Sequence, residues 1–355
     1  MQEDNISKKK PNFPINSELR KYLRGYGRKF SADMEYDDLL RFTNSFPYYD
    51  KTGKDTLWET VYFAPSENTA LNFALTGMYA QLKTGGDLSV IEHLFAERID
   101  YCTFGNSKPF RVRIVNTLND NFDYFYIKKA DASRIYGLEL EHILSPNRIS
   151  YLVSGNTLIE EHIAGIPGDL FIKDQMKKKE INTIRIAKEF VKFNERCFLR
   201  LLGDMRSYNF VIDMTPDFEE THYRIRAIDF DQQSYEGKKS LYMPQFFKEN
   251  NPYVQLAMQL MTPETMRQYQ IEERTLIAKR IKAGKRMLKD LLDCMSHDTI
   301  STLEKKNQLK EELSKHYDNP AYLKCKNMGE IVKMSLKEML RQNKHHTTSA
   351  NNKVK

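Results

Sequence analysis

Two short stretches of the chain bring acidic and amide side chains close together in sequence. The first places Asp204 five positions before Asn209 and runs into an apolar segment. Further along, Asp229 and Asp231 flank an aromatic residue. A carboxylate can accept the proton of a hydroxyl group, and carboxylate and amide oxygens are the ligands that Mg²⁺ prefers. Either stretch alone is typical of a surface turn, but the ordered pair indicates a site for proton transfer and metal binding.

A helix and a hairpin are the elements that would position these stretches. Residues 181–202 carry apolar side chains at helical spacing and lead directly into the Asp204 loop. Residues 210–212 and 225–228 predict two strands around a polar turn. The interval between the two acidic stretches therefore suits a β-hairpin.

The segment before this helix has the character of a small sheet. Alternating or apolar runs predict three strands, one helix and two further strands, in that order. Their ranges are 99–104, 110–115, 124–127, then 132–144, then 149–153 and 157–163. This order suits a small antiparallel sheet with one helix across it.

The segments before the predicted sheet and after the predicted hairpin have mainly helical patterns. Residues 1–15 are polar and expected to be mobile, and residues 17–46 are broadly helical. Further helices are expected to begin at Asp55, after a cap at Ser66, and after a cap at Asp87. C-terminal helices are predicted at 252–261, 263–295, 298–316 and 320–341. We therefore expect four segments: a helical extension at 1–97, a sheet lobe at 98–168, a helical lobe at 169–342 and a disordered tail at 343–355.

Composition narrows the class of protein. The 355 residues allow about two domains, and 55 Lys and Arg against 48 Asp and Glu give a mildly basic chain. The four cysteines form no C-x-x-C pair, which favours a reducing compartment with buried thiols. The N-terminus has no signal-peptide pattern, and no uninterrupted apolar run approaches 18 residues. We expect a soluble, cytoplasmic protein without a membrane partner.

Together, these motifs resemble the protein-kinase-like superfamily, in the style of the aminoglycoside and choline kinases or of HipA. The resemblance covers about residues 98–261. It implies an α+β, bilobal fold with a small antiparallel sheet lobe and a mainly helical lobe, preceded here by the helical extension. It also implies ATP and Mg²⁺ as cofactors and a hydroxyl group, on a small molecule or a protein, as phosphoryl acceptor.

The resemblance also assigns nucleotide-binding roles to residues of the sheet lobe. Residues 99–115 would form the hairpin whose turn at Gly105 covers the phosphates. Lys128, with Lys129 as the alternative, would contact the α- and β-phosphates and pair with a helix carboxylate. That carboxylate would be Glu141 or Glu139. Residues 160–163 resemble the hinge that meets adenine, with Glu161 and Ile163 as the contacting positions.

In the helical lobe, the resemblance implies the catalytic and metal-binding roles. Asp204 would be the catalytic base, and Arg206 would face the γ-phosphate. Asn209 and Asp229 would bind Mg²⁺, and Asp231 would assist. The sequence departs from the family pattern where Leu202 replaces the usual His, and the phosphate turn has a single glycine. The single glycine weakens the expectation of fast catalysis, because the backbone cannot approach the phosphates as freely.

Two alternatives of other classes remain. The first is a pseudokinase that uses the fold for interaction alone. The second is a basic helical binding module, because residues 279–286 are rich in Lys and Arg on a predicted helix and could contact phosphate backbones. Nucleic acid is a secondary alternative as partner. The histidines show no metal-ligand spacing, and no serine-hydrolase motif is present.

Overall fold

The structure is a computed structural model that describes residues 10–50, 52–85, 88–218 and 220–351. The strands are β1 Asn44–Tyr49, β2 Asp55–Tyr62, β3 Leu94–Cys102, β4 Phe110–Asn116, β5 Phe122–Lys129, β6 Tyr151–Ser154, β7 Thr157–Glu161, β8 Ile166–Pro167, β9 Phe210–Pro216 and β10 Thr221–Ala227. The helices are α1 Ser17–Gly25, α2 Tyr36–Leu39, α3 Asn68–Thr84, α4 Ala132–Leu144, α5 Gly168–Asp174, α6 Thr183–Arg200, α7 Asn251–Leu260, α8 Pro263–Ala283, α9 Lys285–Met295, α10 Leu303–Tyr317 and α11 Met328–Asn351. Short 3-10 helices cover Pro65–Glu67, Leu88–His93, Ser207–Asn209, Lys239–Tyr242, Pro244–Phe246, Lys248–Asn250 and Pro320–Lys324.

The described chain divides into two compact units. A sheet unit comprises residues 10–132 and 149–162, and a helical unit comprises residues 133–148 and 163–351. The prediction of an α+β protein with an antiparallel sheet part and a mainly helical part is confirmed. Helix α4, which was expected to belong with the sheet, is grouped with the helical unit instead.

The sheet unit is built on one antiparallel sheet with the strand order β1-β2-β3-β4-β5-β7-β6. Along β4, Phe110, Val112 and Ile114 are buried while Arg111 and Arg113 between them are half-buried, as the alternation of the sequence predicted. The apolar face packs against α3, whose Leu71, Leu75 and Met78 belong to the same core cluster. The expected order of three strands, a helix and two strands is confirmed by β3, β4, β5, α4, β6 and β7.

The expectation of a helical N-terminal extension is wrong for residues 44–62, which form the first two strands of the sheet. The predicted helix at Asp55 is strand β2, paired antiparallel with β1 and β3. Cross-strand contacts explain the outcome: the Thr60 hydroxyl donates to Asp100 at 2.9 Å, and the Arg111 guanidinium stacks over Trp58 at 4.6 Å. These partners are distant in sequence, so tertiary pairing overrides a helical spacing of apolar residues.

Other expectations near the termini also need correction. Residues 10–13 are held in place, because Lys10 pairs with Asp131 at 2.8 Å and the Phe13 N–H donates to the same carboxylate at 2.8 Å. The tail predicted to be disordered continues α11 through Asn351, and residues 352–355 lie outside the described residues. Asp87, the expected cap of a short helix, also lies outside them.

The helical unit is organised around α6, whose buried face includes Ile186, Ala187, Phe190 and Phe193. Helix α6 contacts α7, α8, α11 and the hairpin strand β10. The predicted hairpin is confirmed as β9 and β10, which pair antiparallel, with β8 on the other edge of β9. The predicted helix at 263–295 is interrupted at Gly284, which ends α8 and precedes α9. No helix among the described residues is long and apolar enough to cross a membrane.

Candidate functional site

The Asp204 loop follows α6 and is attached to two other loops by main-chain hydrogen bonds. The Gly203 N–H donates to the Gln232 carbonyl at 3.2 Å, and the Asp204 N–H donates to the Leu241 carbonyl at 3.2 Å. A side chain at Gly203 would place its Cβ only 3.1 Å from the Gln232 oxygen. Asp204 itself has a positive φ of 58°, a conformation that costs energy for a residue with a side chain. The surrounding hydrogen bonds thus hold Asp204 in a strained position.

The Asp204 carboxylate lies in a small charged cluster. The Arg206 guanidinium donates through Nε to Asp204 at 2.9 Å and through Nη1 to Glu249 at 2.7 Å. Its planar group also lies 5.1 Å from the centre of the Phe247 ring. Arg206 therefore bridges two carboxylates and has little freedom to rotate.

The pKa of the Asp204 carboxyl is raised to about 7, first by burial and then by the negative charge of Asp229. Hydrogen bonding and the positive charge of Arg206 oppose this rise in the pKa, and the charge of Glu249 adds to it. A carboxyl group with a pKa near neutrality can exchange a proton at physiological pH, which an ordinary exposed aspartate does poorly. This property marks Asp204 as a chemically unusual residue of the helical unit.

Asn209 connects the Asp204 loop to the segment after β10, which carries Asp229. Its side-chain Nδ2 donates to the Asp204 main-chain carbonyl at 2.7 Å. Its own main-chain carbonyl accepts from the Ile228 N–H at 3.0 Å. The hairpin of β9 and β10 produces this arrangement, since Phe210 and Ala227 are paired at its open end. The structure therefore brings Asp204, Asn209 and Asp229 together.

Arg134 is a residue of this cluster that the sequence did not reveal. It lies in α4, is buried, and forms an ion pair with Asp231, while its Nη2 lies 3.6 Å from Asp229. Asp229 also accepts from the Asp231 N–H at 3.0 Å. An arginine in a helix with mainly apolar spacing was the available signal, because buried arginines require acidic partners. The contact places α4 beside the candidate metal ligand Asp229.

Further contacts attach α4 to the loop after Asp229. The Ser133 hydroxyl donates to the Gln233 carbonyl at 2.7 Å. A Cβ at Gly137 would lie 3.1 Å from the Cβ atoms of Phe230 and Gln233, a contact tighter than most that real Cβ atoms make. Gly137 thus lets the helix backbone pack directly on the loop.

Glu141 has a different partner from the one expected. It forms a buried ion pair with Arg200 at the end of α6, and it also accepts from Asn147 Nδ2 at 3.4 Å. Glu139, the alternative, is buried in the same helix. The prediction that Glu141 pairs with Lys128 is therefore wrong, because the carboxylate neutralises a buried arginine within the helical unit.

In the sheet unit, Lys128 pairs with Glu160, and Nζ lies 2.5 Å from the carboxylate. Both side chains are buried, whereas Lys129 is exposed. The pairing follows from strand register: Lys128 faces Leu158, so Glu160 is the diagonal neighbour on the same face of the adjacent strand. Of the two lysines that the sequence offered, the structure buries Lys128, and its partner is on β7 instead of the predicted helix.

The three other residues predicted to contact nucleotide are located as follows. Gly105 lies in the turn between β3 and β4, with a positive φ of 90° and open space around its Cα. Glu161 ends β7 and accepts from the Ser150 N–H at 2.8 Å. Ile163 follows the strand and is buried. Their nucleotide contacts stay predictions.

The candidate metal ligands provide oxygen donors but few charges. Within the described ranges, no group of three or more His, Cys, Asp or Glu side chains is placed to hold a metal ion. Because Nδ2 of Asn209 is engaged with the Asp204 carbonyl, its Oδ1 is the atom left for a ligand. Together with the Asp229 carboxylate, this gives two protein oxygens, which fits Mg²⁺ that completes its shell with phosphates and water.

Comparison with known proteins gives structural likenesses only. No family model matches the chain, and no curated protein matches it. Among solved structures, it is similar to the Rio2 kinase of Chaetomium thermophilum in a complex with ADP/Mg²⁺ and phosphoaspartate, with a TM-score of 0.31, 10% identity, and coverage of 78% of this chain and 84% of that chain. It is also similar to titin kinase with its flanking domains, with a TM-score of 0.28, 14% identity, and coverage of 69% and 54%. Both likenesses are weak, so any kinase-like assignment depends on the residues of this chain.

Proposed function

We propose that this protein is a kinase-like phosphotransferase that uses ATP and Mg²⁺ to phosphorylate a hydroxyl acceptor. The observation that carries the proposal is the environment of Asp204. The pKa of Asp204 is raised to about 7, in part by the charge of Asp229. Asn209 donates a hydrogen bond to the Asp204 main chain. The sequence motif had selected the same three residues. A structural turn requires none of these features.

In this proposal, Asp204 accepts the proton of the acceptor hydroxyl. A base with a pKa near the working pH is both sufficiently deprotonated and sufficiently basic. Arg206 is held between Asp204 and Glu249 and orients the base. Asn209 and Asp229 supply oxygen ligands to Mg²⁺, and the ion, when bound, neutralises charge on the phosphates. In the sheet unit, Lys128 pairs with Glu160 at 2.5 Å, and its contact with the nucleotide phosphates stays a prediction.

Arg134 has a supporting role in the same proposal. The Arg134 guanidinium lies near both Asp229 and Asp231, so it competes with a metal cation for Asp229. Its closer partner is Asp231. Asp231 is thereby the main partner of the arginine, and in this proposal Asp229 is the residue that binds the ion. Asp229 and Asp231, which flank Phe230, thus have different partners in this proposal.

Calorimetry and phosphoryl transfer test the proposal. We expect the parent protein to bind ATP in the presence of Mg²⁺ and to phosphorylate itself or an added acceptor from radiolabelled ATP. Asp204→Asn should lower transfer by about 10²–10⁴-fold with little loss of ATP affinity, whereas Asp229→Asn should weaken Mg²⁺-dependent binding itself. The matched control is Asp213→Asn, an aspartate at a half-buried position on β9.

Each outcome is informative. Equal loss of binding in the Asp204 and Asp229 variants would contradict the assigned roles. A parent protein that binds Mg²⁺ and ATP but transfers no phosphate would be a pseudokinase. A parent protein that binds no nucleotide with or without Mg²⁺ would refute the kinase-like proposal.

A further inference from the structure

The end of α8 and the start of α9 form a concentrated positive surface on the helical unit. Between Glu273 and Asp290 the sequence has seven Lys and Arg residues and no acidic residue. Five of them have exposed side chains and are called here the basic surface: Lys279, Lys282, Lys285, Arg286 and Lys289. The Lys- and Arg-rich stretch at 279–286, which has no role in the kinase-like motifs, thus faces solvent in the structure.

The charges of the basic surface are not neutralised within the described part of the chain. None of its five side chains has an ion pair or hydrogen bond there. Two half-buried cations of the helical unit are, in contrast, paired: Lys333 lies 3.3 Å from Asp293, and Arg185 contacts Glu220. Uncompensated cations repel one another, so their concentration favours an anionic partner.

Two further arginines extend this positive region toward α4. Arg280 donates to the carbonyl oxygens of His142 and Ile143 at the end of α4, at 3.3 and 3.2 Å. Burial and then the charge of Arg148 lower the pKa of the Arg280 guanidinium. Because the charge of Arg148 acts on Arg280, the two guanidinium groups are near each other. The Arg148 side chain is exposed. The positive region thus continues into the loop after α4.

We propose that the basic surface binds the phosphate backbone of a double-stranded nucleic acid. A helical path from Lys279 to Lys289 spans at most about 15 Å at about 1.5 Å per residue. A duplex presents about four to five phosphates of one strand over that length, which matches the five cations. The charge spacing of the surface therefore complements a polyphosphate backbone.

The side chains around the basic surface favour a duplex over other anions. Among the described residues, exposed large apolar side chains occur at Leu276 and Leu303 but at no position between them. Binding a single strand uses aromatic side chains on which bases stack, and binding a membrane surface uses apolar side chains that enter the lipid. The basic surface offers neither, so it can recognise backbone charge without reading bases.

This inference does not depend on phosphoryl transfer, since none of the five cations belongs to the candidate site. A direct binding experiment tests it. Fluorescence anisotropy would be measured on the full chain with labelled 20-base-pair RNA and DNA duplexes, and with a single strand. Binding to vesicles containing phosphatidylserine would be measured in parallel. We expect duplex binding whose logarithm falls with the logarithm of salt concentration with a slope of about −4.

Charge reversal locates the binding surface. The variant K279E/K282E/K289E should lower duplex affinity at least about tenfold and reduce the salt slope by about 3. The control K315E/K324E/K337E changes the net charge equally at three exposed lysines elsewhere on the helical unit, and it should change affinity less than about threefold. Circular dichroism would verify that both variants fold.

Several results would overturn the proposal. These are equal weakening by the two triple variants, tighter binding of the single strand than of either duplex, and binding to vesicles without binding to duplexes. Absence of all binding by the parent protein at low salt would also overturn it, and that measurement requires no variant. Comparison of the RNA and DNA duplexes would distinguish the two sources of the same backbone chemistry.

Discussion

Replacing Asp204 with asparagine should stabilise the folded protein, and the gain should be larger at pH 8 than at pH 5. The carboxyl is half-buried, and this partial burial together with the nearby charge of Asp229 raises its pKa to about 7 in the folded protein. In the unfolded chain an aspartate titrates near about 3.9. The folded state therefore holds a proton on Asp204 over a pH range in which the unfolded state has released it.

The sign and size of the effect follow from this difference in pKa. As the pH rises from about 4 to about 7, ionisation favours the unfolded chain, so the parent protein loses stability relative to a variant that cannot ionise. At about 1.4 kcal/mol per pKa unit, the loss is about 1.5 kcal/mol at pH 5 and about 4 kcal/mol at pH 8. The side chain of Asp204 is 21% exposed, so solvent relaxation reduces these values and we expect a difference of about 2 kcal/mol between the two pH values.

Urea unfolding of the protein without nucleotide measures this effect directly. The free energy of unfolding of Asp204→Asn and of the parent protein would be compared at pH 5, 6, 7 and 8. Asp213→Asn, at a half-buried aspartate on β9, serves as the control for the same substitution outside the Asp204 loop. If the curves for Asp204→Asn and the parent protein run parallel from pH 5 to pH 8, the carboxyl does not have the raised pKa on which the proposed base depends.

Two further predictions concern packing and charge. Glu141→Gln removes the ion-pair partner of the buried Arg200 guanidinium and should cost about 3–5 kcal/mol of unfolding free energy. Glu220→Gln, in an exposed pair, should cost less than about 1 kcal/mol, and similar urea midpoints for the two variants would contradict this. Gly168→Ala would place its Cβ 2.4 Å from an aromatic ring and should destabilise the protein by about 1–3 kcal/mol. Gly77→Ala, with open space within α3, should stabilise it by up to about 1 kcal/mol. Thermal unfolding of both variants would show whether their changes in stability have opposite signs.

Features that depend on local sequence could be predicted. Helix α4 lies at 132–144 as expected, because its apolar spacing and flanking breakers act within one element. The alternation of Phe110, Val112 and Ile114 with arginines likewise determines which face of β4 is buried. The approach of Asn209 to Asp204 could be predicted because both lie in one loop that a hairpin follows.

Features that depend on long-range pairing could not be predicted. Residues 55–62 carry apolar side chains at positions that fit either a helix or a strand, and their partners in β1 and β3 decide the outcome. The choice of Glu160 as the partner of Lys128 depends on the register between β5 and β7, which the sequence alone does not specify. A one-residue change of register would have placed Glu161 on that face instead.

The contacts of α4 give the candidate site a mechanical property that the sequence resemblance did not suggest. Arg134 near one end of the helix pairs with Asp231, and Glu141 near the other end pairs with Arg200 of α6. Separating α4 from either partner would leave a buried charge without compensation, which is strongly unfavourable. The close packing of Gly137 on Phe230, where an added Cβ would lie 3.1 Å from the Phe230 Cβ, adds a further tight contact. Within the helical unit, α4 and the loop after Asp229 should therefore move as one piece, so a change in the position of this helix would also change the position of the candidate metal ligand.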